Sequence, residues 1–240
     1  MQITDKIAIV TGASSGIGKA FSRTLIEKGA TVYGLARRTE KLNAVLNELG
    51  NRFRPVQMDV TDSERLEQWV SDTFSKENLP PDILINNAGL AKFGKVDQIS
   101  LDDWHSMIHT NLDGVFYLTR LIVPLMKQHS GVCHIINISS IAGLLGNPEI
   151  SGYNASKFAV RGFSEALFKE LRYDGIKVSC MFPGSIATEF FQTAMDGETH
   201  PNMMMPEDVA DTLIHLLETP DNHLINEVTM RPLNPKPPEE

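Results

Sequence analysis

The stretch "KIAIVTGASSGIGKA", residues 6–20, decides the fold of this chain, because it joins a short apolar run to the start of a helical pattern. The run at 7–11 is rich in β-branched residues and predicts a buried strand, while the periodicity that follows predicts a helix. Gly12, Gly16 and Gly18 stand at their junction with G-x3-G-x-G spacing. Glycines let the backbone approach a pyrophosphate closely, and a helix N-terminus offers free N–H groups to it. The stretch therefore predicts a phosphate-binding turn, with a glycine-rich turn that only packs tightly as the alternative.

The alternation of strand and helix continues along the rest of the chain. Apolar runs predict strands at 7–11, 31–36, 52–58, 82–86, 133–139, 177–182 and 224–230. Helical periodicity predicts helices at 16–28, 39–49, 62–76, 101–128, 151–173 and 206–220. Parallel sheets that are covered on both faces show this alternation. We therefore expect an α/β fold with a single doubly wound parallel sheet and helices on both faces.

Length and composition indicate one globular unit. The 240 residues fit a single domain spanning 1–240, and 42% hydrophobic with 22% charged residues are ordinary values for such a domain. The formal net charge of -8 argues against nucleic acid or an anionic membrane as a general partner, since both require a basic surface. The sequence contains neither a signal peptide nor an apolar stretch of about 18 residues, so we expect a cytoplasmic protein without a membrane contact.

The cysteines and histidines do not indicate a metal site. Cys133 and Cys180 lie in apolar runs without the spacing of metal ligands, which indicates buried free thiols in a reducing compartment. His105 and His109 are four positions apart on a predicted helix, but no third ligand accompanies them. We therefore expect no bound metal.

A tyrosine and a lysine stand four positions apart in "SGYNASKFAVRG", residues 151–162. Positions i and i+4 of a helix share one face, so the ammonium of Lys157 is predicted to approach the phenol of Tyr153. Alone, this spacing is typical of an ordinary helix surface. Ser140 ends "IINISS", and Asn111 lies in "MIHTNLDG" on the helix after the fourth predicted strand. We expect these polar groups to meet beyond the carboxyl ends of the strands, where doubly wound sheets bind ligands.

Together these motifs resemble those of the short-chain dehydrogenase/reductase family. The chain has "TGASSGIG" for the family's TGxxxGxG, "NNAG" at 86–89, and "YNASK" with the family's tyrosine and lysine. The resemblance covers almost the whole chain and implies a Rossmann-type fold. The catalytic tetrad that it implies consists of Asn111, Ser140, Tyr153 and Lys157. Ser139 is the rival of Ser140, but the family's interval to the tyrosine favours Ser140, and strand alternation points Ser139 the other way.

Each member of this tetrad has an expected role. Tyr153 exchanges a proton with the substrate oxygen as hydride moves to or from the nicotinamide. A phenol with a pKa of about 10 needs roughly 4 kcal/mol of phenolate stabilisation to act near neutrality, and Lys157 is expected to lower that pKa by its charge. By the resemblance, Lys157 also holds the nicotinamide ribose, and Asn111 holds a water that links Lys157 to solvent. Ser140 orients the substrate oxygen.

The second predicted strand ends in "GLARRTEKL", which bears on the choice of cofactor. NAD-selective members of the family place an acidic residue for the ribose 2′-hydroxyl where this chain has Ala36. Arg37 and Arg38 follow it, and guanidinium groups suit a 2′-phosphate, so NADP(H) is favoured over NAD(H). NADP-selective members often carry a basic residue where this chain has Ser15, which is a departure from their pattern. A solvated strand end is the alternative interpretation of the two arginines.

The cofactor contacts implied by the resemblance are distributed over several loops and one helix. They are Gly12, Ser14, Ser15, Gly16, Ile17 and Gly18 in the glycine turn, Arg37 and Arg38 after the second strand, Asp59 and Val60 at the adenine, Asn87, Ala88 and Gly89 beside the adenosine, Tyr153 and Lys157 at the ribose and the reacting ring, and Pro183, Gly184, Ile186 and Thr188 over the nicotinamide.

The segment 189–206 is predicted to be a substrate lid. Phe190, Phe191 and the methionines at 203–205 give it adaptable apolar side chains, although a hydrophobic seal over the core is an equal alternative. It contains neither arginine nor lysine, which argues against a strongly anionic substrate held by this lid. Contacts to such a substrate from elsewhere, for example from Lys92 or Lys95, stay open. The segment 231–240 is proline-rich and charged, and we expect a weakly ordered tail there.

We therefore predict an NADP(H)-dependent oxidoreductase that interconverts a small carbonyl compound and its secondary alcohol. The nearest alternative is a 3-hydroxy acid dehydrogenase or a 3-oxoacyl reductase. A regulator that senses NADPH without turnover is an alternative of a different class, but its usual sign, a broken tetrad, is not found in this sequence. The helices near 101–128 and 151–173 are expected to form a subunit interface, as they commonly do in the family, in a homodimer or homotetramer.

Overall fold

Parallel strands form a single seven-stranded sheet in the computed structural model of the chain, which describes residues 1–195 and 199–235. The strands are β1 Ile7–Thr11, β2 Thr31–Ala36, β3 Phe53–Gln57, β4 Ile83–Asn86, β5 Cys133–Ile138, β6 Ile176–Pro183 and β7 Glu227–Met230. Their order is β3-β2-β1-β4-β5-β6-β7, and all neighbours are parallel. The expected doubly wound parallel sheet is confirmed.

Helices pack on both faces of this sheet. They are α1 Gly16–Glu27, α2 Thr39–Leu49, α3 Ser63–Val70, α4 Leu101–Ile108, α5 Gly114–Met126, α6 Ser151–Leu171, α7 Glu189–Met195 and α8 Pro206–Glu218. Val10 of β1 belongs to the core beneath α1, α2 and α8, whereas Ile9 belongs to the core beneath α3, α5 and α6. Successive strand residues point to opposite faces, which explains why both are buried. None of the helices in the described ranges is long and apolar enough to cross a membrane.

The strand order reverses between β1 and β4. From β1 the chain builds β2 and β3 on one side of the sheet, and from β4 it builds β5, β6 and β7 on the other. The helices that follow β1 and β4 therefore lie on opposite faces, which opens a crevice at the carboxyl ends of these two strands. Val10 pairs with Ile85, so both strands end at the same edge of the sheet. A ligand site is expected in this crevice.

Two predicted helices are interrupted by a wide helical turn. The helix predicted at 101–128 consists of α4 and α5 joined by the π-helical turn His109–Asp113. A second such turn, Ser71–Ser75, follows α3 inside the helix predicted at 62–76. A single widened turn changes apolar periodicity too little to be recognised in a sequence, and such turns often occur at functional sites. The first one contains Asn111.

The segment 189–206 begins with a helix that the sequence pattern does not predict. α7 covers its first residues, and Met204 near its end pairs with Ile186 in an isolated parallel bridge. Both ends of the segment are therefore attached to the loop that follows β6. Residues 196–198 of the predicted lid and residues 236–240 of the predicted tail lie outside the described part of the chain.

Gly18 determines how closely α1 packs on the end of β1. A Cβ atom at this position would lie 2.3 Å from the backbone oxygen of Gly12 and 2.6 Å from Asn87 Nδ2. Packed atoms do not approach so closely, so a side chain would push the first turn of α1 away from the strand. Glycine is required here for a close approach between elements.

Candidate active site

A cavity of about 420 Å³ lies along the carboxyl ends of the strands. Its wall contains nearly all the predicted site residues, from the glycine turn and the arginines after β2 to the tyrosine and lysine of α6. The two exceptions are Gly18 and Asn111, which are buried behind the wall. The wall extends from Arg37 after β2 to Phe191 in α7, so it offers separate regions for a cofactor and a substrate.

The glycine turn fits a pyrophosphate. Gly12 and Gly16 have φ angles of +68° and +52°, in the left-handed region that favours glycine. α1 begins at Gly16 without an acidic residue in its first turn, and the side chain of Ser15 does not cap its N-terminus. The first N–H groups of α1 are therefore available to an anion, and the helix dipole favours negative charge there. These residues suit the phosphates of a dinucleotide.

Thr11, at the end of β1, connects the glycine turn to the loop after β4. Its Oγ1 accepts hydrogen bonds from the backbone N–H groups of Asn87 and Ala88, both at 2.9 Å. Asn87 Nδ2 in turn donates to the backbone oxygen of Thr11 at 2.9 Å. Sequence reasoning missed this role, and the position of Thr11 directly before the first glycine of the motif was the only signal for it.

Two arginines lie at the end of the cavity next to β2 and β3, which we call the β2 end. Arg38 Nη2 donates to Ser15 Oγ at 3.1 Å, so the Arg38 guanidinium lies against the glycine turn. Arg37 Nη1 lies 4.0 Å from Asp59 Oδ2. Ala36 is buried beside them and presents no carboxylate. The β2 end therefore carries two cationic groups, and one of them contacts the neutral Ser15.

Tyr153 and Lys157 share one face in the first turns of α6. Both side chains are buried, and Lys157 Nζ lies 5.8 Å from the centroid of the Tyr153 ring. The same Nζ donates to the backbone oxygen of Ile138 at 2.9 Å, at the end of β5. This bond fixes the lysine beneath the tyrosine and joins α6 to the sheet.

The two neighbouring serines after β5 differ in their contacts. Ser140 forms a hydrogen bond with the Tyr153 phenol, and its Oγ also accepts from the backbone N–H of Ala142 at 3.1 Å. Ser139 Oγ instead donates to the backbone oxygen of Lys157 at 2.9 Å. Ser140 is therefore the serine at the reacting phenol, while Ser139 helps to hold α6 against the strand.

Burial controls the protonation of the tyrosine and the lysine. It raises the pKa of Tyr153 to about 12, against the opposing effect of the Ser140 hydrogen bond, and lowers the pKa of Lys157 to about 8. The expectation that the Tyr153 pKa falls towards neutrality is therefore wrong for this structure. Loss of hydration of the phenolate outweighs its attraction to a cation that is itself buried and bonded to Ile138. At neutral pH the phenol is protonated.

Asn111 lies in the π-helical turn between α4 and α5 and is fully buried. Its Oδ1 accepts from the backbone N–H of Leu90 at 2.8 Å, and its Nδ2 donates to Leu90 O at 2.8 Å and to Ser156 Oγ at 3.0 Å. Both amide N–H groups are thus used within the protein. A water bound to Asn111, as the resemblance implies, would have to donate to an oxygen atom of this residue.

The loop after β6 lines the cavity and pairs with the lid segment. The bridge to the lid segment uses Ala187 N donating to Met204 O at 2.9 Å and Met204 N donating to Ser185 O at 3.2 Å. It does not use the peptide N–H of Ile186, which lines the cavity as predicted. Thr188 Oγ1 accepts from the N–H of Phe191 at 3.3 Å, at the start of α7. This loop therefore links the cavity wall to the lid segment.

Metal-binding geometry is not found among the side chains of residues 1–193 and 199–235. No group of three or more His, Cys, Asp or Glu side chains there is arranged to hold an ion. The rings of His105 and His109 are 5.9 Å apart, and His109 Nε2 lies 3.7 Å from Asp113 Oδ2. Among the described residues, these two histidines and Asp113 do not form a group that could coordinate a metal ion.

Comparison with known proteins shows the family to which this chain belongs. Residues 6–199 match the short chain dehydrogenase family. The chain belongs to the short-chain dehydrogenases. Uncharacterized oxidoreductases of Staphylococcus aureus are 37% identical to it over 236 residues, which cover 96% of this chain and 99% of theirs. Family membership makes the chain an oxidoreductase whose fold binds nicotinamide cofactors.

Solved structures of similar proteins contain both types of nicotinamide cofactor. The closed form of serine dehydrogenase complexed with NADP+ has a TM-score of 0.87 and 34% identity to this short-chain dehydrogenase, with 95% of each chain covered. The 3-ketoacyl-(acyl-carrier-protein) reductase from Brucella melitensis complexed with NADH has a TM-score of 0.89 and 25% identity. Here 98% of this chain and 100% of the reductase are covered.

The role of Thr11 in this short-chain dehydrogenase is testable with Thr11→Val, which keeps the shape of the side chain but removes its hydroxyl. Two part-buried backbone N–H groups then lose their acceptor, and an unsatisfied donor costs about 1–3 kcal/mol when it is fully buried. We expect urea denaturation to show a loss of about 2–4 kcal/mol in the free energy of unfolding. Thr11→Ser retains the hydroxyl and is the control. Equal stability of the two variants would contradict the role.

Proposed function

We propose that this short-chain dehydrogenase interconverts a small carbonyl compound and its secondary alcohol with NADP(H). The observation that carries the proposal is the convergence of Ser140, Tyr153 and Lys157 on a cavity that also contains the glycine turn. A proton donor and a dinucleotide cradle in one cavity support hydride transfer to a carbonyl group. Bound nicotinamide would supply or accept the hydride.

The residues around the phenol have separate roles in this proposal. Tyr153, protonated at neutral pH because its pKa is raised, would donate its proton to the carbonyl oxygen during reduction. Ser140 would hold that oxygen by a hydrogen bond, since its hydroxyl already reaches the phenol. Lys157 would stabilise the phenolate that remains. In the oxidation of an alcohol, the same groups would act in reverse.

A preference for NADP(H) over NAD(H) is supported by the charges at the β2 end. Arg37 and Arg38 are both in the cavity wall, and Ala36 offers no carboxylate to a ribose 2′-hydroxyl. Position 15 has a serine where NADP-selective members often carry a basic residue. Arg38 supplies a positive charge at this position, because its Nη2 contacts Ser15 Oγ. A guanidinium therefore occupies the neighbourhood in which related NADP-selective chains carry a basic residue. The serine dehydrogenase neighbour complexed with NADP+ agrees with this preference.

A 3-hydroxy acid dehydrogenase or 3-oxoacyl reductase is the second candidate. The likeness to serine dehydrogenase and to 3-ketoacyl-(acyl-carrier-protein) reductase favours it. Both candidates use the same proton donor and differ only in the groups beside the reacting carbon. The residues of the cavity around the Tyr153 phenol therefore determine which of the two substrate classes fits.

The proposed chemistry is tested by Tyr153→Phe, assayed as NADPH consumption with a panel of aldehydes, ketones and 3-oxo acids. Removal of the proton donor should reduce kcat/KM by about 10²–10⁴-fold, the usual contribution of general acid–base catalysis. The affinity for NADPH, measured by fluorescence titration, should change little. Full activity of this variant would refute the role of Tyr153. Tight NADPH binding by the wild type without turnover of any panel member would favour a sensor.

Cofactor choice is tested by Arg37→Ala. Loss of a charge-assisted hydrogen bond to a 2′-phosphate costs about 1.5–3 kcal/mol, so the Kd for NADPH should rise by about 10–100-fold. The Kd for NADH should stay within about twofold, because NADH has no 2′-phosphate. Arg54→Ala is the matched control, since Arg54 is exposed on β3 and does not line the cavity. Equal losses for both cofactors would reject the role of Arg37.

A homodimer or homotetramer is part of the same proposal. Phe116 on α5 and Phe158 on α6 are 46% and 42% exposed, which is unusual for aromatic side chains on a solvated surface. Burial of these rings between subunits would remove apolar surface from water. Size-exclusion chromatography with light scattering should therefore give at least twice the chain mass of 26.6 kDa. The monomer mass at assay concentration would exclude this assembly.

A further inference from the structure

The part of the cavity around the Tyr153 phenol, which we call the substrate end, has aromatic and aliphatic walls. The rings of Phe93 and Phe190 lie on the tyrosine, each with a centroid distance of 6.2 Å. Phe93 and Ile150 also pack in the apolar cluster that contains Tyr153. Asn147 is the neutral polar side chain that this wall contributes from the loop before α6. Such a wall suits an apolar group beside the reacting carbonyl.

The formally charged side chains of the cavity wall either lie away from the substrate end or are already hydrogen-bonded within the protein. In the described part of the chain they are Arg37, Arg38, Asp59 and Lys157. The first three lie at the β2 end, and Lys157 Nζ donates to Ile138 O beneath the phenol. Arg231 follows β7 close to Gly184, but its side chain is exposed and is not part of the wall. Lys92 and Lys95, on either side of Phe93, are exposed and do not line the cavity. Among the described residues, the wall of the substrate end therefore has no cation other than Lys157, which is bonded to Ile138.

The lid segment adds negative charge but no arginine or lysine. From Ser185 to Ala210 the sequence contains five acidic residues, which are Glu189, Asp196, Glu198, Glu207 and Asp208. Glu189 accepts hydrogen bonds from Lys41 Nζ at 2.8 and 2.6 Å and lies 3.7 Å from Arg38 Nη1, so this carboxylate is paired with cations near the β2 end. His200 is the lid residue that can become cationic, and it does not line the cavity. The sequence of the lid segment thus contributes no cation with a permanent charge.

We infer that the substrate is a neutral carbonyl compound, or its alcohol, with an apolar arm beside the reacting carbon, and that free carboxylic acids are rejected. A carboxylate at the substrate end would lose its hydration without gaining a charged partner, which is strongly unfavourable. Contact with the aromatic wall instead favours an ester, an alkyl ketone or an aryl ketone. This inference rests on the proposed function and excludes the 3-hydroxy acid dehydrogenase among its candidates, because 3-hydroxy acids carry a free carboxylate. A 3-oxoacyl ester or thioester is neutral and stays compatible with it.

Ethyl 3-oxobutanoate and 3-oxobutanoate form a matched pair for the test, since they share the reacting ketone and differ in one charge. NADPH consumption at pH 7.5 should give a kcat/KM at least about 100-fold higher for the ester, a difference typical of sites that leave a buried polar group unpaired. An equal or higher value for the acid would overturn the inference.

A variant that supplies the missing cation sharpens the test. Asn147 is exposed, so Asn147→Lys can be accommodated, and Asn147→Met matches it in length without charge. The Lys variant should raise the ratio of acid to ester kcat/KM by about tenfold or more, while the Met variant should leave that ratio near its wild-type value. The same rise in the Met variant would overturn the electrostatic explanation, because it would show that length and not charge is responsible.

A binding experiment separates this inference from the proposed function. Methyl 3-methylbutanoate and 3-methylbutanoate do not react, and their Kd values for the protein saturated with NADP+ are measurable by calorimetry. Tighter binding of the ester supports the inference even if no ketone is reduced, in which case the proposed function alone has failed. Tighter or equal binding of the acid overturns the inference even if ketones are reduced.

Discussion

The buried ammonium group of Lys157 is the constraint on which the rest of the site depends. With 4% of its surface exposed, this side chain must find an acceptor within the protein. The backbone oxygen of Ile138 at the end of β5 provides it, and Ser139 adds a second link by donating to Lys157 O. These bonds hold the first turns of α6 against the sheet. Tyr153, one helical turn earlier, is thereby fixed beside Ser140 in the cavity wall.

The cavity combines two environments that favour different chemistry. At the β2 end, Arg37 and Arg38 remain half to two-thirds exposed, which suits a hydrated phosphate group. Around Tyr153, the rings of Phe93 and Phe190 contact the tyrosine, and burial raises the pKa of the phenol to about 12. A buried, protonated phenol is a donor to a carbonyl oxygen and offers no positive charge to an anion. Apart from the Lys157 ammonium beneath the phenol, the charged side chains of the described cavity wall therefore lie at the end where a cofactor phosphate would bind.

The contribution of sequence reasoning differs between parts of the site. The i, i+4 spacing of Tyr153 and Lys157 is a property of any helix, so their shared face was predictable from the chain alone. The pKa of Tyr153 was predicted in the wrong direction, because burial depends on residues distant in sequence, such as Phe93 and Phe190. Thr11 was missed for a similar reason. Its hydrogen bonds join loops that are more than 70 positions apart.

The amino-acid sequence by itself determined the order of strands and helices, the glycine turn and the identity of the polar groups at the strand ends. These features follow from local periodicity and local backbone preferences. Only the tertiary structure decided which groups are buried and what they contact. It brought Arg38 to Ser15 and placed Asn111 behind the cavity wall. Among the residues that the structure describes, it also left Lys157 as the one cation in the wall of the substrate end. Desolvation and charge pairing depend on neighbours across the whole fold, which local patterns do not specify.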